Sequence, residues 1–129
     1  MNIPKDFKFT KDHEWLKIDG DTALVGITEF AVNELGEIVF VEVDTVGEEL
    51  NKEDVFGTVE AVKTTSDLFL PVSGEILEFN PEIDENEGNN PAVINKSPYF
   101  DGWIVKIRMS NPEEANELMD AEEYEKFIS

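Results

Sequence analysis

The chain has 129 residues, a length for one domain, and sets 30 acidic side chains against 10 basic ones for a formal charge of −20. The absence of cysteine and a single histidine exclude a disulfide scaffold, a thiol nucleophile, a Cys-ligated metal and a multi-histidine metal site. The acid is spread along the chain, −9 over residues 1–64 and −11 over residues 65–129, which repels phosphate backbones and anionic lipid and argues against nucleic-acid and membrane partners.

Hydrophobic residues make up 40% of the chain before its 8 glycines are counted, enough for one core and against disorder. The longest apolar run is Ile38-Val39-Phe40-Val41, far short of a membrane span. Residues 1–6 lack an apolar signal core and an Arg-rich transit pattern, so a cytoplasmic location is expected.

Residues 14–27 predict a hairpin turning at Asp19-Gly20-Asp21. Thr28 reads as the N-cap of a helix over Glu29–Leu35 that Gly36 stops. Strands are predicted over Glu37–Val43, Val55–Val62, Leu68–Val72 and Glu75–Phe79, with turns at Val46-Gly47-Glu48 and Ser73-Gly74. Alternation within Val55–Val62 puts Phe56, Thr58, Glu60 and Val62 on one face. Residues 80–95 carry Pro81, Gly88 and Pro91 and predict a loop, at most with one helical turn, expected to be the mobile insertion. Trp103–Met109 is the last strand. Asn111-Pro112-Glu113-Glu114 then reads as an N-cap, a proline at the first helical position and a capping-box acid. Ala115, Leu118, Met119, Tyr124, Phe127 and Ile128 fit one helical face, in two pieces broken near Asp120. Its polar side is acidic, which favours a helix closing a β core over one lying on a membrane.

The class is therefore mainly β with short helices, a sandwich or barrel with C-terminal helices. One domain spans residues 1–129, its core about 9–109 and its helical segment about 111–128. Val46-Gly47-Glu48-Glu49-Leu50 echoes Val72-Ser73-Gly74-Glu75-Ile76. The echo puts Lys63–Asp67 at the junction of two similar halves, on a hairpin. A lysine on a rigid, exposed hairpin suits a tethered group: the backbone fixes the anchor, the stem adds reach and the amine can form an amide. Taken alone, Lys63 is more readily an ordinary solvated turn lysine.

Several separated motifs decide between these. Phe9-Thr10-Lys11-Asp12-His13-Glu14-Trp15, Val25-Gly26-Ile27-Thr28-Glu29-Phe30-Ala31, Leu35–Glu42, Glu60-Ala61-Val62-Lys63, Ser66-Asp67, Pro71–Glu75, Ser97-Pro98-Tyr99 and Gly102-Trp103 follow one another in order. In this pattern, from about Phe9 to Phe127, the chain resembles the H-protein family of the glycine cleavage system, small lipoyl carriers. The resemblance implies a barrel–sandwich hybrid like lipoyl and biotinyl domains, with lipoate in amide linkage to Lys63. It implies that Glu60 helps the lipoate-attaching enzyme recognise the hairpin, and that Gly47 and Gly74 are the turn glycines flanking the carrier lysine. Ala61 and Thr64 depart from the family's usual serine and alanine but leave Glu60 and Lys63 in place. Biotin carriers set methionines beside the lysine; Val62 and Thr64 here favour lipoate.

The resemblance further implies a non-catalytic carrier, expected as a monomer, that passes an aminomethyl group and then reducing equivalents among three enzymes. These are a pyridoxal-phosphate-dependent glycine decarboxylase, a folate-dependent aminomethyltransferase and dihydrolipoyl dehydrogenase. In the family the loaded arm folds into an acidic cleft, whose matching positions here are Glu14 and Asp67. A carboxylate beside the cargo's nitrogen would keep it protonated and so prevent it from expelling the sulfur. Without the resemblance, Glu14 reads as a strand-start surface acid and Asp67 as a turn-capping acid. His13 reads as a packed, hydrogen-bonded residue at the cleft edge, with no Ser or Cys nucleophile to serve, and Trp15 and Trp103 as core or cleft-wall aromatics. No catalytic or metal-binding constellation is present. Two other roles share the fold: a lipoyl donor that relays the group to other acceptors, and an unmodified interaction module.

Overall fold

Short β-branched and aromatic runs pair antiparallel into two sheets in the computed structural model, which describes residues 2–129. The strands are β1 (Lys8–Phe9), β2 (Glu14–Asp19), β3 (Thr22–Ile27), β4 (Ile38–Glu42), β5 (Glu49–Leu50), β6 (Val55–Ala61), β7 (Thr65–Phe69), β8 (Gly74–Phe79) and β9 (Val105–Met109). Six form one sheet in the order β1-β2-β3-β9-β8-β5, and β4-β6-β7 form the other. Helices α1 (Glu29–Leu35), α2 (Ala92–Lys96) and α3 (Ala121–Ile128) and a 3-10 turn at Pro112–Glu117 complete the chain.

The facing sides of the sheets bury Leu16, Val25, Phe56, Val59, Leu68 and Ile107 in one core. Each such side chain contributes about 1.5–3 kcal/mol relative to exposure. A second, aromatic cluster joins Phe7, Phe9, Trp15 and Tyr99 to Tyr124 of α3. Phe9 and Tyr124 stack with centroids 4.7 Å apart. Trp15 Nε1 donates to the carbonyls of Ile27 (3.0 Å) and Pro98 (2.9 Å), which satisfies its one polar atom inside the cluster.

The hairpin over 14–27, the Thr28 cap and the Gly36 stop form where the sequence predicts them. Thr28 Oγ1 accepts the Ala31 N–H, and Gly36 takes φ +81°. The echoed segments pair with each other: Leu50 lies opposite Gly74 and Glu49 opposite Glu75, leaving the β6–β7 hairpin between them.

Four details differ from the sequence reading. A bulge between Val55 and Gly57 shifts the alternation of β6, so Phe56, Val59 and Ala61 are buried while Glu60 and Val62 face outward. β7 starts at Thr65, not Leu68, because its polar first half pairs with β6, and it ends before Pro71, which has no N–H to give a ladder. Residues 80–95 are tied down: Asn80 Nδ2 donates to the carbonyls of Asp101 and Trp103, and Ile83 and Ile94 lie in the core. Asn111 makes no side-chain cap. The capping box forms instead at Asp120 and Glu123, while Glu114 accepts the Ser73 N–H and hydroxyl. Among the described residues no helix is long and apolar enough to cross a membrane.

Candidate functional site

The β6–β7 hairpin closes through a tight turn in which Ala61 N–H donates to the Thr64 carbonyl at 2.8 Å. Val62 N–H donates to the Glu37 carbonyl at 3.1 Å, tying the turn to the start of β4. Lys63 is exposed at the tip, beside Val62, which is 67% exposed. Among the described residues its ammonium forms no ion pair. Glu60, three residues earlier, is exposed on the outer face of β6 opposite Thr65. An amine so placed fits an amide-linked arm: the anchor is held by strands on both sides and nothing competes for the nitrogen.

The strand leaving that tip runs directly into a cleft of about 250 Å³. Ser66, Asp67 and Leu68 of β7 line one side, Phe30 and Leu35 of α1 another, and His13 and Glu14 the third. The two acids named from the sequence, Glu14 and Asp67, thus share one cavity. They differ in setting, because Asp67 is exposed and Glu14 is 2% exposed. Glu14 also lines a second cleft of about 450 Å³, bordered by Lys11, Lys52 and Leu118.

Local backbone geometry places Glu14. Thr10 N–H donates to the Glu14 carbonyl (3.0 Å) and His13 N–H to the Thr10 carbonyl (3.1 Å), so residues 10–14 form a closed turn with His13 at φ +69°. The Thr10 hydroxyl donates to Glu14 Oε1 at 2.8 Å, and the Phe69 N–H donates to Oε2 at 3.3 Å. Burial lifts the Glu14 carboxyl from 4.5 to about 8, against the pull of those two donors. A carboxyl so shifted keeps its proton at pH 7, and a cation beside it would draw that proton off. Burial also lowers His13, although Asp12 and Glu34 favour its charged form.

His13 is packed and bonded as the sequence suggests: Nδ1 lies 2.8 Å from the Tyr124 hydroxyl, and its ring lies 4.7 Å from that of Phe30. Gly47 and Gly74 flank the hairpin for different reasons. Gly47 takes φ +92° in its turn. Gly74 lies in β8, where a Cβ would come within 2.5 Å of the Arg108 carbonyl oxygen. Sequence reasoning missed Thr10, Phe69 and Tyr124. Two act through a turn and a backbone amide that carry no residue signature, and Tyr124 reaches the site from 111 residues beyond His13.

A family model described as "Glycine cleavage H-protein" matches residues 7–129. A glycine cleavage system H protein of Pelodictyon phaeoclathratiforme is 55% identical over 126 residues, covering 96% of this chain and 95% of that one. One from Bacteroides fragilis is 48% identical over 129 residues, covering 100% and 99%. Among solved structures, a glycine cleavage system H protein from Mycobacterium marinum superposes with a TM-score of 0.84 at 39% identity, over 96% of this chain and 97% of that one.

Proposed function

The chain belongs to the glycine cleavage H-protein family and has its lipoyl-domain-like barrel–sandwich fold, and we propose that it works there as a lipoyl-bearing carrier with Lys63 as the attachment point. One observation carries the reading: Lys63 stands exposed on a braced turn, and the strand that follows it lines a cleft holding Glu14 and Asp67. When bound in amide linkage, lipoate would supply a dithiolane that accepts an aminomethyl group on one sulfur and is later reoxidised from the dithiol. The decarboxylase, the aminomethyltransferase and dihydrolipoyl dehydrogenase would be its successive partners, and residues 1–129 would act as one non-catalytic carrier domain.

This chain's own residues position and shelter. The hairpin holds the Lys63 backbone at a fixed point, and Glu60 offers the attaching enzyme a charge on the strand that leads to it. Phe30, Leu35 and Leu68 supply an apolar lining that would shield a docked arm from water. Glu14 and Asp67 supply acceptors for a cationic cargo, and ionisation of Glu14 in its buried setting would hold such a cation more strongly than an exposed acid could.

Peptide mass mapping of protein from lipoate-fed cells containing a competent ligase tests the anchor. A lipoyl increment confined to the peptide bearing Lys63 is expected. Its absence from the wild-type chain would overturn the proposal. With the partner decarboxylase, the modified protein should support glycine-dependent CO₂ exchange, and Lys63→Arg should abolish that exchange while folding normally.

A further inference from the structure

One wall of the cleft is α1, and side chains from three separate elements hold it. Thr28, fully buried, caps the helix by accepting the Ala31 N–H at 3.2 Å. Its Oγ1 lies 2.8 Å from the Tyr124 hydroxyl of α3, and that hydroxyl lies 2.8 Å from Nδ1 of His13. The His13 carbonyl also accepts the Thr28 N–H at 2.9 Å, so the turn before β2 and the cap of α1 are joined twice.

Counting hydrogens fixes the direction of this chain. Each hydroxyl has one hydrogen to give. With His13 neutral and its proton on Nε2, Thr28 donates to Tyr124, Tyr124 donates to Nδ1, and Thr28 Oγ1 is free to accept Ala31. Every donor is used. With His13 protonated, Nδ1 becomes a donor and one buried hydroxyl hydrogen of the chain loses its acceptor. If Tyr124 accepts from both neighbours, its own hydrogen is orphaned; if it turns to donate to Thr28, the Thr28 hydrogen has no acceptor among these partners. Thr28 relieves either arrangement by turning its hydroxyl away from Tyr124 and Ala31, which loosens the cap.

We propose that His13 is a positioning residue: through Tyr124 and Thr28 its neutral imidazole holds α1 as the cleft wall, and protonation releases it. The meaning of this for a docked arm rests on the carrier reading above; the hydrogen-bond chain itself does not. The groups facing His13 are Asp12 on its own turn, Glu34 on α1, Glu14 on β2, Asp67 across the cleft on β7 and Tyr124 on α3. Asp12 and Glu34 favour protonation, while burial of the ring opposes them and prevails. Tyr124 holds its proton to about 12 and Glu14 to about 8, so below pH 7 both are already protonated when His13 takes up its own proton.

Hydrogen exchange of the Ala31 amide on the unmodified full chain reads the cap directly, and the Ala31 and Leu35 methyl resonances read the cleft wall. After correction for intrinsic rates, Ala31 protection should fall about tenfold as His13 gains its proton, followed from pH 7 downward against the His13 ring resonances, with the methyl shifts following. His13→Asn keeps an acceptor near Nδ1 and tolerates the left-handed backbone, so it should hold Ala31 protection constant over that range. Tyr124→Phe, which keeps the stacking on Phe9, should show the low protection at both ends. Equal wild-type protection at both ends, or the same fall in His13→Asn, would overturn the proposal. Mass at Lys63 is measured separately, so failure of the carrier reading is distinguishable from failure of this one.

Discussion

Replacing Glu14 by Gln should reverse the sign of its effect on stability as pH rises. In the folded chain the carboxyl keeps its proton to about 8, whereas its ordinary value is 4.5. Below the lower value both states are protonated and the group costs nothing. Between the two values the unfolded chain has lost the proton that the folded chain retains, so wild-type stability falls as pH rises, and above the higher value the loss is complete. Over these roughly 3.5 pH units, at about 1.4 kcal/mol per unit, the loss is about 5 kcal/mol. Glutamine does not titrate, but its amide nitrogen cannot accept, so it forfeits either the Thr10 or the Phe69 bond at every pH, about 1–3 kcal/mol. The variant should thus be less stable than wild type by about 1–3 kcal/mol near pH 4.5 and more stable by about 2–4 kcal/mol near pH 8.5, crossing near pH 6. Urea unfolding of both proteins at several pH values, with unchanged slopes, measures the difference directly and cancels the titration of the other acids. A difference that stays constant across the range would refute the argument that burial dominates this carboxyl.

The remaining expectations concern the anchor, the cleft and the flanking glycines. Lys63→Arg should change unfolding free energy by no more than about 0.5 kcal/mol, because the side chain is exposed and unpaired, while removing all lipoyl mass from its peptide. Glu14→Ala combined with Asp67→Ala should still accept lipoate but shorten the lifetime of the loaded carrier, read as faster formaldehyde and ammonia release. Gly74→Ala should destabilise by about 2–4 kcal/mol, since its Cβ meets a backbone carbonyl that cannot rotate away. Gly47→Ala, strained only by its positive φ in open space, should cost about 1–2 kcal/mol, so urea midpoints should rank the two.

The tip that presents Lys63 was legible because its signals are local: β-branched runs on either side and a short polar stretch between them. The Thr28 cap and the Gly36 stop were legible for the same reason. Thr65, Ser66 and Asp67 looked like turn because they are polar, yet they form strand because β6 supplies partners along their whole length. The bulge at Val55/Gly57 left no mark on the alternation, so the outward face of β6 was misassigned at Phe56. Glu14 was found only through resemblance, and its burial could not be read. A glutamate beside an apolar strand looks the same whether the Phe69 amide and Thr10 hydroxyl cover it or water does. Asn111 carried a capping signature and lost it to competition, because Glu114 is drawn to Ser73 on a distant turn.

The pairing of Leu50 with Gly74 has a mechanical consequence. The strands before and after the β6–β7 hairpin, β5 and β8, are clasped together at its base, where Gly47 N–H donates to the Ile76 carbonyl at 2.7 Å and Ile76 N–H to the Glu48 carbonyl at 3.0 Å. A tug applied at the summit therefore loads both legs at once and is delivered to the broad six-stranded layer, which resists it as a whole. A carrier gripped at its tip, the role proposed for Lys63, can be gripped there repeatedly without unravelling from that spot.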